Sequence, residues 1–203
     1  MELLIATRNI GKLREYEKLL ADLPVTLLNL DDVGLGEMDV EETGDTFADN
    51  ALLKARAYAE ASGKLTLADD SGLCVDALGG APGVFSKRFG EPGLDDAGRR
   101  RTLLDALRYT PDDERGAYFA CVIALVDPKT GTERHVEGRC AGHILTEERD
   151  DGHGFGYDAL FLPDGYDRTF AQIPNDEKNE MSHRGDAGRK IVPIIREISG
   201  QAR

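Results

Sequence analysis

The stretch LADDSGLCVDALGGAPG, residues 67–83, places two adjacent carboxylates at the end of an apolar run. The run at 65–68 is typical of a short buried strand, and Asp69 and Asp70 follow it directly. Neighbouring carboxylates repel each other unless a cation or a network of donors lies between them. The pair therefore indicates either the cap of a turn, which Asp-Asp-Ser-Gly would suit, or part of a metal site.

A strand that continues through the two acids would turn their side chains to opposite faces of the sheet. In that case only one of Asp69 and Asp70 faces a ligand directly. Carboxylates at the carboxyl end of a strand are common magnesium positions in α/β proteins, because ligand crevices form at that edge of the sheet. The two acids are not assigned separate roles by this pattern, and a turn stays an equal alternative.

The first third of the chain alternates between strand and helix patterns. Apolar runs predict short strands at 3–6 and 25–28, with an amphipathic helix at 12–20 between them. Thr46 is a suitable cap for a second helix, which ends near Gly63. This order, strand–helix–strand, is typical of parallel pairing in an α/β protein.

The remainder of the chain changes character. Partly alternating runs at 117–126 and 132–144, joined by Asp-Pro-Lys-Thr-Gly, predict an antiparallel hairpin. Further helices are predicted at 95–107 and 188–198. Together the elements predict one α/β domain over residues 1–203, a mixed sheet in two lobes with a cleft between them.

Composition favours a globular protein whose partner is a small anion. The net charge of −13 over 203 residues argues against nucleic acid as a partner, because phosphate backbones are bound by basic surfaces. A few local Lys and Arg residues with a divalent cation can still hold a triphosphate inside an acidic protein. Any phosphate chemistry is therefore expected to be local and assisted by a metal ion.

Neither a membrane nor an export signal is indicated. The apolar runs are a few residues long, and the start MELLIATRN lacks the basic and apolar regions of a signal peptide. We therefore expect a cytoplasmic protein with no membrane partner. Cys74, Cys121 and Cys140 lie far apart without a Cys-x-x-Cys spacing, which predicts buried reduced thiols.

The segment TRNIGKLRE, residues 7–15, leads from the first strand into the first helix. The N-terminus of a helix presents unpaired backbone N–H groups to an anion, and Thr7, Asn9 and Lys12 add side-chain donors. The segment is not a P-loop, because the Gly-x-x-x-x-Gly-Lys-Ser/Thr pattern is absent. Alone it suits an ordinary strand–turn–helix junction with Asn9 as the cap better than an anion site.

The segment EETGDTFADNALLKA, residues 41–55, combines acids with a polar helical face. Glu41 and Glu42 lie in a loop ahead of the helix. Asn50 and Lys54 are four residues apart, so they project from one face of that helix, where an amide and an ammonium suit a phosphate. A solvated helix face explains the same spacing equally well.

The segment GFGYDALF, residues 154–161, places aromatic residues on a turn that two glycines make flexible. Phe155 and Tyr157 on such a turn can stack on a nucleobase, with Asp158 beside them. Core aromatics at a hairpin turn are the better explanation when this segment is taken alone.

The segment EKNEMSHRGDAGRK, residues 177–190, brings cations and a histidine close to the last predicted helix, with Ser182 as a candidate cap. Lys178 and Arg184 donate hydrogen bonds but accept none, and His183 lies next to Arg184. Such a group favours the 6-oxo acceptor of hypoxanthine, xanthine or guanine over the 6-amino donor of adenine. A solvated basic loop is an equal alternative.

Taken in order, these motifs resemble those of the inosine/xanthosine triphosphate pyrophosphatase family. The matching patterns are T-x-N-x-x-K-x-x-E, E-E-T-G-x-T-F-x-x-N-A-x-x-K-A, A-D-D-S-G-L-x-V-D-x-L-G-G-A-P-G, G-F-G-Y-D and S-H-R-G, and the resemblance runs from Leu3 to the last helix. The central pattern is too long for coincidence. Enzymes of this family hydrolyse non-standard purine nucleoside triphosphates.

The resemblance implies a two-lobed mixed α/β fold with the site in the cleft, a homodimer, and Mg²⁺ as cofactor. It implies that Asp70 is the catalytic base and a metal ligand, that Glu41 is a second metal ligand, and that Ser71 touches the substrate. It implies that the triphosphate is held by Thr7, Arg8, Asn9, Ile10, Gly11, Lys12 and Lys54. It implies a base pocket of Phe155, Gly156, Tyr157, Asp158, Lys178, His183 and Arg184. Arg8 departs from the family, which often has a small residue there. Two alternatives therefore stay open for Arg8: it contacts a phosphate, or it lies over the rim of the cleft.

The expected reaction is magnesium-dependent hydrolysis of a purine nucleoside triphosphate (ITP, dITP or XTP) to the monophosphate and pyrophosphate. ATP is expected to be rejected, because donors aimed at a 6-oxo group stay unpaired when adenine binds. Three alternatives remain: a nucleotide-sensing module without turnover, a phosphatase or kinase that acts on another bond, and an oligomeric scaffold with a vestigial site. The absence of the kinase loop motifs argues against a kinase.

Overall fold

The computed structural model describes residues 1–200, which form a six-stranded sheet and five α-helices. The strands are β1 (Glu2–Ile5), β2 (Thr26–Leu28), β3 (Leu65–Val75), β4 (Gly116–Asp127), β5 (Thr132–Ile144) and β6 (Phe161–Pro163). The helices are α1 (Ile10–Leu19), α2 (Phe47–Ser62), α3 (Asp96–Ala106), α4 (Asn175–Met181) and α5 (His183–Ile198). Within this part of the chain no helix is both long and apolar enough to cross a bilayer.

The sheet is mixed, with the strand order β2-β1-β3-β4-β5-β6. β1 pairs in parallel with β2 and with β3, while β6 pairs antiparallel to β5. β4 and β5 are neighbours joined by only four residues, 128–131, and so short a connection requires an antiparallel hairpin. The predicted mixed α/β class and the predicted hairpin are confirmed.

β3 is much longer than the predicted strand at 65–68, because it continues through both acids to Val75. A turn at Asp-Asp-Ser-Gly is therefore wrong. Leu67 packs in the apolar cluster that contains Ile191 of α5, and Ala68 packs in the cluster that contains Ala55 of α2. Side chains alternate along a strand, so Asp69 lies on the Leu67 face and Asp70 on the Ala68 face.

The chain divides into two compact units. The first comprises Met1–Asp70, Cys121–Gly138 and the residues from Arg184 onward. It contains both of the clusters just described, one on each face of β1 and β3. Its buried apolar side chains from the last helix are Ala187, Ile191 and Ile195, which are four positions apart, as one face of an amphipathic helix requires.

The second unit comprises Ser71–Ala120 and Arg139–His183. Its core contains the rings of Phe119 and Phe161, whose centroids are 4.9 Å apart. Buried Arg115 donates hydrogen bonds to the backbone carbonyls of Leu107, Ile144 and Leu145 at 2.8–3.0 Å. The predicted cleft stays a prediction, as does a single domain over 1–203.

The limits of α2 follow from its end residues, as predicted. The hydroxyl of Thr46 accepts from the backbone N–H of Asp49 at 3.1 Å and donates to the Asp49 carboxylate at 2.6 Å. At the other end Gly63 has φ +66°, the left-handed conformation that glycine adopts without strain. The three cysteines are buried free thiols, which confirms that prediction.

Two helices differ from their predictions. α5 begins at His183, five residues before the predicted start at 188, and α4 was not predicted. α4 is polar at nearly every position, so it has no apolar periodicity to find. Gly188, the predicted first residue, lies inside α5, where an added Cβ would stand 3.1 Å from Leu19 of α1. Glycine there allows close packing of two helices.

Candidate active site

Asp69 is the centre of a buried group of four charged residues in the first unit, called here the Asp69 cluster. Asp69 Oδ2 lies 2.8 Å from Lys12 Nζ and 3.2 Å from Arg184 Nη2. Arg184 Nη1 in turn donates to Glu15 Oε2 at 2.5 Å. Two carboxylates and two cations give the cluster no net charge, so each buried charge has a partner of opposite sign.

The partners of Asp69 keep it ionised. Burial raises the pKa of this carboxyl, but Lys12 and Arg184 outweigh burial and hold the pKa well below its usual range. Burial lowers the pKa of Lys12. The Cys121 thiol lies 3.7 Å from Asp69, and burial raises its pKa to about 12, so it stays a donor. Asp69 therefore has no tendency to accept a proton near neutral pH.

We expect Asp69→Asn to lower the free energy of unfolding at pH 7 by about 3 kcal/mol, because Lys12 and Arg184 lose their shared counter-charge. The pKa of Asp69 is lower in the folded than in the unfolded state, so its contribution is complete above the unfolded value of 3.8 and is lost as the pH falls further. The difference in the free energy of unfolding between wild type and variant should therefore become smaller below that pH. Urea unfolding at pH 7 and at pH 3 checks this; an equal difference at both would contradict it.

Asp70 belongs to a second group on the opposite face of β3, called here the Asp70 cluster. Asn50 Nδ2 donates to Asp70 Oδ2 at 3.2 Å, and Lys54 Nζ lies 3.4 Å from Asp70 Oδ1. Lys54 Nζ also lies 2.5 Å from Glu42 Oε1. Asn50 and Lys54 thus point to one place from successive turns of α2, as their spacing predicts. Two carboxylates share one ammonium, which leaves the group with a net charge of −1.

The environment of Asp70 favours protonation more than that of Asp69 does. Burial is the main cause that raises the pKa of Asp70 above its ordinary value; Lys54 opposes the shift and Glu42 adds to it. Burial lowers the pKa of Lys54, but Asp70, Asp69 and Glu42 outweigh it and the pKa is raised. Of the two adjacent acids, Asp70 is therefore the one suited to accept a proton.

The Asp70 cluster suits a hard divalent cation. Its oxygens are carboxylates, its net charge is negative, and the Lys54 ammonium already lies between two of its acids. Over residues 1–200 no three His, Cys, Asp or Glu side chains are grouped to hold a metal. Mg²⁺ needs no such group, because it is commonly held by one or two carboxylates with substrate phosphates and water.

The loop ahead of α2 brings Glu42 to Lys54. Glu42 makes the contact, whereas the side chain of Glu41 is exposed on the same loop. Glu41 as a metal ligand stays a prediction. Ser71, next along β3, is partly buried, and its contact with substrate also stays a prediction.

The start of α1 has the cap that its sequence predicts. Asn9 Oδ1 accepts from the backbone N–H of Lys12, and Thr7 Oγ1 accepts from the N–H of Asn9, both at 3.2 Å. Arg8 forms an ion pair with Asp39 on the surface. Ile10 is exposed and Gly11 partly buried in the first turn. The first turn therefore leaves backbone N–H groups beside Lys12, whose ammonium is in the Asp69 cluster.

In the second unit, Asp158 organises the Gly-Phe-Gly turn. Its Oδ2 accepts from the N–H of Phe155 at 2.8 Å and from Lys178 Nζ at 2.6 Å. Lys178 is buried, and its Nζ lies 5.3 Å from the centroid of the Phe155 ring. Gly154 has φ +78°, and a Cβ there would lie 2.2 Å from Asp158 Oδ2, so only glycine leaves room for this carboxylate.

Two other residues of the predicted base pocket have core contacts. The Tyr157 hydroxyl donates to the carbonyl of Ser86 at 2.8 Å, and burial raises the pKa of Tyr157 to about 12. The His183 ring stacks on Phe119, with centroids 4.8 Å apart. Arg184 belongs to the other unit, where its guanidinium binds Glu15 and Asp69. The structure thus groups Phe155, Asp158 and Lys178. Arg184 in the base pocket stays a prediction.

The model of the Ham1 family matches residues 3–194 of the chain. The chain is 49% identical to a protein of Streptomyces coelicolor called dITP/XTP pyrophosphatase, over 98% of both chains. It is 40% identical to a Bacillus subtilis protein of the same name, over 96% of both.

Solved structures agree. A HAM1 protein from Coxiella burnetii matches with a TM-score of 0.88 and 39% identity, over 97% of this chain and 99% of that one. A Mycobacterium abscessus structure titled nucleoside-triphosphatase / dITP/XTP pyrophosphatase matches with a TM-score of 0.75 and 45% identity, over 95% of this chain and 100% of that one. These matches confirm the resemblance that the motifs predict. The chain belongs to the Ham1 family.

Proposed function

We propose that this protein is a nucleoside triphosphate pyrophosphatase that hydrolyses non-standard purine nucleotides (dITP, ITP and XTP) to the monophosphate and pyrophosphate. The names of the relatives support the reaction class and substrates. The observation on which the mechanism rests is the contrast between adjacent acids: cations hold Asp69 ionised, while burial raises the pKa of Asp70. One strand thus supplies a fixed charge and a proton acceptor.

Asp70 is the general base. It accepts a hydrogen bond from a water molecule and takes its proton as the water oxygen attacks the α-phosphorus. The new bond joins the water oxygen to the α-phosphorus, and the bond from that phosphorus to the α–β bridging oxygen breaks. Pyrophosphate leaves with the electron pair. A raised pKa suits this role, because a base works best when its pKa approaches the working pH.

The phosphates are bound by Lys12, Lys54 and the first turn of α1. Lys54 lies beside the base, at 3.4 Å from Asp70, so it stabilises negative charge close to the reacting phosphorus. Lys12 is fixed by its ion pair with Asp69 and extends the positive charge toward the N–H groups that follow Asn9. Thr7 and Arg8 remain candidates for contacts with the outer phosphates.

Asp70 and Glu42 would hold Mg²⁺, with Glu41 as the further acid expected from the family resemblance. When bound, the ion would neutralise charge on the phosphate oxygens and help to orient them. Glu42 is included because its carboxylate and that of Asp70 share the Lys54 ammonium.

The purine is recognised in the second unit. Phe155 offers a ring for stacking, and Lys178 offers a cation that cannot accept a hydrogen bond, which favours a 6-oxo group over a 6-amino group. Asp158 holds Lys178 in place at 2.6 Å. Arg184 stays a predicted donor of the base pocket, and its guanidinium also contacts Glu15 and Asp69. A homodimer and a cytoplasmic location stay predictions.

A product assay with dITP, ITP, XTP, GTP and ATP, each with and without Mg²⁺, tests the proposal. Monophosphate and pyrophosphate from dITP, ITP or XTP, with little turnover of ATP and none without the metal, is the expected result. Release of inorganic phosphate would mean that another bond is cleaved. Binding of ITP without turnover would identify a nucleotide sensor, and equal turnover of ATP would contradict the base-recognition scheme.

A further inference from the structure

The turn that contains Phe155 is attached to helix α3 through one residue, Gly156. The backbone N–H of Gly156 donates to Asp96 Oδ2 at 2.9 Å, and the carbonyl of Gly156 accepts from Arg100 Nη1 at 2.9 Å. Asp96 and Arg100 are four residues apart on α3, so they lie on one face of the helix, one turn apart. A single helix therefore holds both hydrogen-bonding groups of the residue that follows Phe155.

Arg100 also fixes the chain ahead of the turn. Its Nη2 lies 3.0 Å from Glu148 Oε2, and its side chain is only 14% exposed. A planar guanidinium presents several donors in a rigid arrangement, so one arginine can hold the Gly156 carbonyl and the Glu148 carboxylate together. A lysine, with a point charge on a flexible stem, cannot reproduce that geometry.

The attachment matters because the turn itself restrains Phe155 weakly. Gly154 and Gly156 on either side have positive φ, +78° and +61°, and glycine has little intrinsic conformational preference. Within the turn, the N–H of Phe155 donates to Asp158 Oδ2 and its carbonyl accepts from the N–H of Asp158 at 3.2 Å. The contacts of Gly156 with α3 add a restraint from outside the turn. Phe155, Asp96 and Arg100 also line one cavity of about 230 Å³.

We propose that Asp96 and Arg100 are positioning residues that hold the backbone of Gly156 on both sides and thereby keep Phe155 oriented for stacking on the purine base. They act through the turn and touch no reacting atom. The inference rests on the proposed function. It adds two residues of helix α3 that influence the affinity for the purine base. A turn held in its bound geometry loses less conformational entropy when the nucleotide binds, so removal of either residue weakens binding rather than chemistry.

The test compares Asp96→Ala, Arg100→Ala and the double variant with Arg101→Ala, which removes an exposed arginine from the same helix. KM and kcat for ITP, and deuterium uptake by a peptic fragment that spans 154–158, are measured for each. We expect each single variant to raise the KM for ITP about tenfold with kcat within twofold, the scale of one charge-assisted hydrogen bond. Uptake by the turn should rise in the same variants, and Arg101→Ala should match the wild type.

The double variant should raise KM little more than the worse single variant, because both residues hold the same residue, Gly156. Asp96→Asn keeps an acceptor for Gly156 and should restore KM close to the wild-type value; this conservative variant also answers the question if an alanine variant fails to fold. Faster uptake by the turn with KM unchanged would overturn the inference, as would a fall in kcat with KM unchanged. Failure of the wild type to hydrolyse ITP would overturn the proposed function first and this inference with it.

Discussion

Asp70→Asn is expected to lower kcat for dITP about 10³-fold, because an amide cannot take the proton of the attacking water. KM should change much less, since Lys54 and Lys12 still bind the phosphates. Steady-state kinetics with dITP at saturating Mg²⁺ measures the effect. Asp76→Asn, which neutralises a carboxylate six residues further along in the second unit, serves as a matched control and should retain wild-type kcat.

Asp70→Asn should be at least as stable as the wild type at neutral pH. Because burial raises the folded-state pKa of Asp70 above its ordinary value of 3.8, its ionised form destabilises the fold, and that cost grows as the pH rises through and above 3.8. Asparagine carries no charge and removes this cost. We expect the urea midpoint of Asp70→Asn at pH 7 to lie at or above that of the wild type. In the kinetic assay, a kcat of Asp70→Asn within tenfold of the wild-type kcat would show that another group is the base.

Arg184→Met is expected to lower the free energy of unfolding by about 3–5 kcal/mol, because it leaves Glu15 and Asp69 buried without their shared cation. Arg184 Nη1 and Nη2 contact the two acids at 2.5 and 3.2 Å, and its side chain is 1% exposed. Urea unfolding measures the loss. Arg189→Met, which removes an exposed arginine from the same helix, should change stability by less than about 0.5 kcal/mol.

A double variant separates the ion pair from the packing of the long side chain. Glu15→Gln with Arg184→Met should be less destabilised than the sum of the two single variants, because the Glu15–Arg184 ion pair is lost in both single variants but only once in the double variant. Strict additivity would mean that the Glu15–Arg184 ion pair contributes nothing to stability.

Local patterns predicted the framework of this fold well. The first strand, the Thr46 cap with the Gly63 end of α2, and the hairpin of β4 and β5 all depend on residues close together in sequence. β3 could not be followed past Ala68, because Asp-Asp-Ser-Gly has the composition of a turn. What lets a strand continue there is charge from Lys12, Lys54 and Arg184, which tertiary folding brings from three separate helices.

The partners of the candidate site residues were harder to predict than the residues themselves. Glu15 was not singled out as a site residue, although it is buried. Its spacing of three residues from Lys12 places both side chains on one face of α1, which is the signal that the sequence offers. The contact of Glu42 with Lys54 depends on how the loop at 41–46 enters α2, which spacing alone does not define. Arg184 was predicted as a base-pocket donor, but spacing could not reveal its ion pair with Glu15, which lies 169 positions away in the chain.

The most direct test of the mechanism is hydrolysis of dITP in water enriched in ¹⁸O, with mass analysis of both products. Attack on the α-phosphorus with Asp70 as base places one ¹⁸O atom in the monophosphate and none in pyrophosphate, and that is the result we predict. Label in pyrophosphate would mean that water attacks the β-phosphorus, and the assignment of the reacting phosphorus beside Asp70 and Lys54 would then be wrong.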